Sequence, residues 1–199
     1  MTNDEMLMNL RNNAHDYGLV AVLLHWLMAL LIIGLFVLGK YMVGLDYYHP
    51  WYQLAPDLHR SLGVLVGGLL LLRLGWRLSN PRPAIVGRPW ERRVAVTVHR
   101  LFYALIAAIV VSGYLITSAG GQAVSVFGWF EIPATLYGFE HQEDIAGRVH
   151  EWLANGVIAL AVLHSLAALK HHFIDRDPTL RRMLGLGGPA SSSIHSTKE

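Results

Sequence analysis

Eleven histidines stand in this 199-residue chain. His25, His59, His99, His150 and His164 lie in or at the ends of long apolar runs, and His171 and His172 follow at the end of the last run. An imidazole in hydrocarbon is costly and needs a partner, so each of them marks either a hydrogen bond across helices or a site. Two of the spacings are informative. His150 and His164 are 14 residues apart, close to four helical turns, so they project from nearly the same face about 21 Å apart along the axis. Two planar groups stacked across a membrane want this arrangement, each with a second ligand at its own depth on another helix. Zinc or copper would want three or four ligands converging on one point, and histidines in distant pairs do not supply that.

The elements that must carry these residues are long and apolar. The chain is 53% hydrophobic and 15% charged, with a mean hydropathy of +0.37, whereas soluble domains carry roughly 25% charged residues. Four runs are long enough to cross hydrocarbon, which takes roughly 20 helical residues: about Leu19 to Gly39, His59 to Leu78, Thr97 to Thr117 and His150 to Lys170, with no proline in any. The predicted fold class is therefore all-α, an integral-membrane four-helix bundle in contact with lipid. The basic pI, near 9.0, belongs to charges flanking these runs and not to a nucleic-acid surface. No cysteine is present, which excludes disulfides, iron–sulfur clusters and thioether-linked haem. The acidic start Met-Thr-Asn-Asp-Glu, with no small-residue cleavage site before the first run, does not read as a cleavable signal peptide.

Loop charge orients the bundle. Arg77, Arg82, Arg88, Arg92 and Arg93 gather between the second and third runs, and Lys170, Arg176, Arg181 and Arg182 follow the fourth. Loops 40–58 and 119–147 hold Lys40 against Asp46, Asp57, Glu131, Glu140, Glu143 and Asp144. The positive-inside rule places both termini in the cytoplasm. The domain reading is a cytoplasmic segment 1–16, a four-helix domain 17–184 and a Gly/Ser-rich tail 185–199 without fixed structure. Loop 119–147, rich in Phe127, Trp129, Phe130, Tyr137 and Phe139, reads as an interfacial flap.

With sides assigned, depth pairs the ligands. His25 and His164 lie at similar distances from the cytoplasmic surface, and His59 and His150 both sit near the outer starts of their helices. The simplest solution is one haem held by His25 and His164 and another by His59 and His150. Such iron has no free axial position and suits electron transfer. His99, opening the third helix, either competes as a ligand or bonds a haem propionate or a quinone carbonyl. Arg73 either snorkels to the interface or pairs with a propionate. His171 and His172 are either solvated or form a quinone headgroup site with proton exchange. Gly63, Gly67, Gly68 and Gly113 allow close packing or make room for a macrocycle.

These residues resemble the bacterial cytochrome b561 family of small di-haem membrane proteins, over about residues 17–184. The marks are Leu24-His25-Trp26, Leu58-His59-Arg60-Ser61-Leu62-Gly63, Arg73 ahead of Asn80-Pro81-Arg82-Pro83, His99, Val126-Phe127-Gly128, His150-Glu151-Trp152-Leu153-Ala154-Asn155, and His164 through Lys170-His171-His172-Phe173. The resemblance implies the same ligand pairing, two haem b groups, a ubiquinone site near His171 and location in the bacterial inner membrane. For the best-known members it also implies superoxide oxidase activity, with superoxide giving electrons at the outer side and ubiquinone receiving them inside. Acidic outer loops depart from the positive funnel that an anionic substrate favours, although Lys40, Arg60 and Arg148 are placed to form a local ring. The competing expectations are an electron-carrier subunit serving a periplasmic redox protein and a structural bundle without cofactor, as a monomer or homodimer.

Overall fold

The structure is a computed structural model and describes residues 10–186. Four long helices follow one another: α1 Leu19–Val43, α2 Leu54–Ser79, α3 Pro89–Ser118 and α4 Gln142–Phe173. Between α3 and α4 a two-stranded antiparallel hairpin pairs β1 Val124–Val126 with β2 Phe130–Ile132. A short helix, α5 Thr179–Met183, closes the described chain. All four long helices are apolar and long enough to cross a membrane. Each extends beyond the expected apolar run, because a helix does not stop where hydrophobicity does. The polar turns 89–96 and 142–149 stay helical as solvent-compatible ends of α3 and α4. The expected tail 185–199 lies, from residue 187 onward, outside the described residues, as does the start of the N-terminal segment.

Local chemistry sets the helix ends. Gly18 precedes α1 where an added Cβ would lie 2.3 Å from the Leu10 carbonyl oxygen, so only glycine fits there. The Gly18 amide donates to Asn12 Oδ1 at 2.9 Å. At the end of α2, Ser79 Oγ donates to Gly75 O and Asn80 Nδ2 to Trp76 O, after which Asn80 turns extended ahead of Pro81, as a residue before proline prefers. Pro89 opens α3, where a missing amide costs nothing, and Glu91 Oε2 accepts from the Arg88 amide at 2.8 Å.

α1 packs along α2 and α3 along α4, with α2 against α3, whereas α1 approaches α4 at few points. The two tight helix pairs thus face each other across a looser seam. The buried apolar cluster Met28, Val66, Leu69, Leu70 and Ile106 fills the middle of the bundle. Most remaining apolar side chains point outward, Leu30, Leu71 and Leu163 among them, as lipid contact requires.

The two ends of the bundle are closed differently. At the end carrying the termini, Ala84 N donates to Ala14 O, Asn12 Nδ2 to Pro81 O, Arg182 to Ala84 O, and the Trp26 indole to Met183 O at 2.8 Å. The N-terminal segment, the α2–α3 loop and α5 are thereby strapped together. At the opposite end the hairpin lies on α2. Within segment 119–147, expected as an interfacial flap, lie paired strands whose turn takes positive φ at Phe127 and Gly128. Ser61 Oγ, 3% exposed as a residue, accepts from the Phe127 amide at 2.9 Å and ties that turn to α2. Removing it as Ser61→Ala leaves the amide unmet and is expected to cost about 1 kcal/mol. The readout is a melting midpoint lower by about 2–4 °C, with the hairpin loosened before the helices.

Candidate functional site

The expected histidines converge in two groups, one near each end of the bundle. At the hairpin end the rings of His59 on α2 and His150 on α4 have centroids 6.1 Å apart with planes crossed at 70°. At the terminal end His25 on α1 and His164 on α4 stand 6.4 Å apart at 69°. A metal takes an imidazole nitrogen at about 2.0–2.1 Å, so two imidazoles on opposite sides of one ion have ring centres about 6 Å apart. Both pairs have the separation that a single six-coordinate iron with two axial imidazoles calls for.

The spacing behind this is not confined to α4. Every long helix places two of these residues 14 positions apart: His25 and Gly39 on α1, His59 and Arg73 on α2, His99 and Gly113 on α3, His150 and His164 on α4. Because the helices alternate in direction, the eight positions form two rings. The hairpin-end ring is Gly39, His59, Gly113 and His150; the terminal-end ring is His25, Arg73, His99 and His164. The recurrence of this spacing on α1, α2 and α3 was readable in the sequence, but three of the four pairs mix residue types and so do not stand out as histidine pairs.

At the hairpin-end ring the glycines seat the imidazoles. A Cβ on Gly39 would lie 3.2 Å from His59 Cε1, and one on Gly113 would lie 3.3 Å from His150 Cε1. Gly113 thus leaves room for the His150 ring. Among the α2 glycines expected to line the site, Gly67 meets Val110 at 3.1 Å as a helix–helix contact, while Gly63 and Gly68 face open space. His150 Nδ1 lies 3.1 Å from the Ile109 carbonyl and 3.1 Å from Ser112 Oγ, and Ser112 itself donates to Ile109 O. A hydrogen on Nδ1 satisfies this arrangement and leaves Nε2 as the free lone pair. His59 Nδ1 is buried and makes no hydrogen bond among the described residues.

At the terminal-end ring Arg73 does not snorkel. Its Nη2 reaches inward to 3.2 Å from His25 Nδ1, while Arg77, one turn on, lies over the Tyr103 ring. His99 does not open a helix: α3 begins ten residues earlier, and the His99 ring comes to 5.6 Å from His164 beside Phe102. It belongs to the ring as a neighbour of His164.

His171 and His172 part company. His171 Nδ1 lies 2.9 Å from Asp175 and 2.8 Å from Asp177, although its N–H direction lines up with neither oxygen. Lys170 bridges Glu91 and Asp175 beside it, 2.8 Å from each. Burial works to raise the Asp177 carboxyl, but hydrogen bonds from Thr179 and the nearby His171 outweigh it and hold the group below its usual value. His172 turns away and meets the Phe173 ring edge-on, with centroids 4.7 Å apart. At the hairpin end two of the three expected cations are already matched: Lys40 pairs with Glu151 at 2.9 Å and Arg60 with Asp57. Arg148 has no carboxylate partner among the described residues, so the anticipated ring of three free cations is not formed.

Four membrane-length helices carry crossed imidazole pairs at two levels. The family profile of prokaryotic cytochrome b561 matches residues 16–186, and the chain belongs to that family. It is 47% identical to cytochrome b561 homolog 2 of Escherichia coli K12, over 89% of this chain and 96% of that relative. It is 30% identical to the probable superoxide oxidase CybB of Yersinia pestis, over 84% and 95%, and 27% identical to cytochrome b561 homolog 1 of Escherichia coli K12, over 82% and 93%. The protein is thus a multi-pass, electron-transferring membrane cytochrome, and b-type haem is the group that the family implies. The donors suit it: paired imidazoles at the right separation, no cysteine for covalent attachment, and glycines where a side chain would crowd the ligand rings.

The crossing of the ligand planes has a spectroscopic consequence. Imidazole planes crossed near 70°, if both rings hold one haem iron, would leave its two dπ orbitals nearly degenerate. The oxidised protein is expected to give low-spin ferric EPR signals of the highly anisotropic type, where parallel rings would give ordinary rhombic ones. A rhombic spectrum from both sites would contradict the crossed geometry.

Proposed function

We propose that the chain binds two haem b groups, one between His59 and His150 and one between His25 and His164, and moves electrons between the outer surface and the quinone pool. The observation that carries this reading is the recurrence of the same paired-imidazole geometry at two levels separated along α4 by 14 residues. Loop charge supports an orientation with the hairpin end outside and both termini in the cytoplasm of a bacterial inner membrane.

Haem b, when bound, supplies a one-electron relay at each level. The protein's part is position and electrostatics. His150 is held by Ile109 O and Ser112, and Gly39 and Gly113 keep the hairpin-end rings in place. Arg73 and His99 flank the terminal-end pair, where propionates can be met. His171, backed by Asp175 and Asp177, is the proton-exchanging group for a ubiquinone headgroup, and His172 stands at the edge of that site.

For the outer donor we favour superoxide, on the strength of the relative named as a probable superoxide oxidase. Two superoxide anions each lose one electron to give two O₂, and one ubiquinone takes the two electrons with two protons to give ubiquinol. No bond to substrate is formed by a side chain, so the protein has no catalytic residue in the covalent sense. The matched cations favour a second reading, in which the acidic outer loops dock a basic periplasmic redox protein and the chain serves as its electron-transfer subunit. Rapid mixing of the purified protein with superoxide distinguishes them. Haem reduction at submicromolar protein, followed by reoxidation on adding a ubiquinone analogue, is the expected result; no reduction by superoxide rules out the first donor.

The ion pair across the mouth yields a sharper test. Glu151→Gln releases Lys40 to face solvent and leaves the haem ligands intact. The second-order rate with superoxide is expected to rise several-fold at low ionic strength and to lose that gain as salt shortens the screening length to about 8 Å and below. His150→Ala is expected to remove one of the two haems and abolish reduction from the outside.

A further inference from the structure

The two rings are unequal in charge. The positions that accompany the paired histidines are Gly39 and Gly113 at the hairpin end but Arg73 and His99 at the terminal end. Arg73 is part-buried, reaches His25 Nδ1 at 3.2 Å, and takes part in no ion pair among the described residues. The cations nearest the other ring are different: Lys40 and Arg60 are each spent on a carboxylate, and Arg148, which has no carboxylate partner among the described residues, is exposed to solvent and not turned into the bundle. From this asymmetry we propose that Arg73 is a potential-setting residue, and that it holds the haem at the His25–His164 level at a higher reduction potential than the haem at the His59–His150 level. The proposal rests on the two-haem reading above and adds to it a built-in direction of flow.

The physics has one sign at each end. Reducing ferric haem removes one unit of positive charge from the centre, so a nearby fixed cation favours the reduced form. The effect is stronger in a low-dielectric interior than at a wet surface. Arginine stays charged at every physiological pH and can only donate hydrogen bonds. Iron on Nε2 of His25 would leave a hydrogen on Nδ1, so the guanidinium then gives up this acceptor, while the side chain keeps its charge at the same depth. At the other level His150 Nδ1 faces the Ile109 carbonyl and Ser112 Oγ. Donation from Nδ1–H to such acceptors makes the imidazole a stronger electron donor, which favours the oxidised form. Both effects open a gap in the same sense. Electrons entering at the hairpin end run downhill to the terminal end, where quinone is reduced.

Potentiometric titration of the purified holoprotein tests this, with or without any substrate. Two one-electron waves are expected. In Arg73→Gln the upper wave is expected to fall by about tenfold in reduction equilibrium constant, which is about 59 mV for a one-electron couple, while the lower wave stays. Arg73→Lys is expected to retain most of the gap. Coincident waves in the unaltered protein, a shift confined to the lower wave, or no shift in either would overturn the assignment. Should Arg73→Gln fail to take up haem, His150→Ala decides: its remaining haem is expected to titrate at the upper potential, and titration at the lower one refutes the order. Finding a single haem in the unaltered protein would instead refute the two-haem reading, and finding no reduction by superoxide would refute only the proposed donor.

Discussion

Everything in this fold answers to one constraint: a polar side chain inside hydrocarbon must meet its partner at its own depth. Water cannot fill the gap, and the cost of leaving an imidazole or a guanidinium unmatched is several times that at a surface. The chain meets the constraint with two rings, each drawing one residue from every long helix. The paired rings, the glycines that seat them and the arginine that reaches across are all consequences of that requirement. The middle of the bundle, by contrast, is plain hydrocarbon: Met28, Val66, Leu69, Leu70 and Ile106.

Four helices, their apolar runs and the pairing of His25 with His164 and His59 with His150 were legible in the sequence, because hydrophobic length and histidine depth are one-dimensional properties. The helix ends were not. Residues 89–96 and 142–149 are polar enough to read as loop, yet backbone hydrogen bonding carries the helix through them. The hairpin was missed because three-residue strands among aromatic residues give too short an alternation to recognise. Its anchor is Ser61, two residues past His59, a contact between segments 66 residues apart that no local pattern announces.

Charge was legible in amount but not in arrangement. The acidic bias of the outer loops could be counted, but not that Lys40 would be taken by Glu151 and Arg60 by Asp57. The same holds for Arg73, whose inward reach depends on the rotation of α2 against α1. It holds again for His171 and His172, adjacent in sequence and 100° apart on a helix, one among carboxylates and the other against Phe173. In each case composition set the inventory and packing chose the partners.

The shared 14-residue spacing also says how such a chain can vary over time. Each residue of an α-helix turns the one after it by about 100°. Inserting or deleting a single residue between Gly39 and His25, His59 and Arg73, His99 and Gly113, or His150 and His164 would swing one ring member out of the bundle into lipid. The intervals between the rings are therefore closed to length change, and a drift in chain length must be absorbed outside them, in the α2–α3 loop, in the hairpin segment and beyond α4.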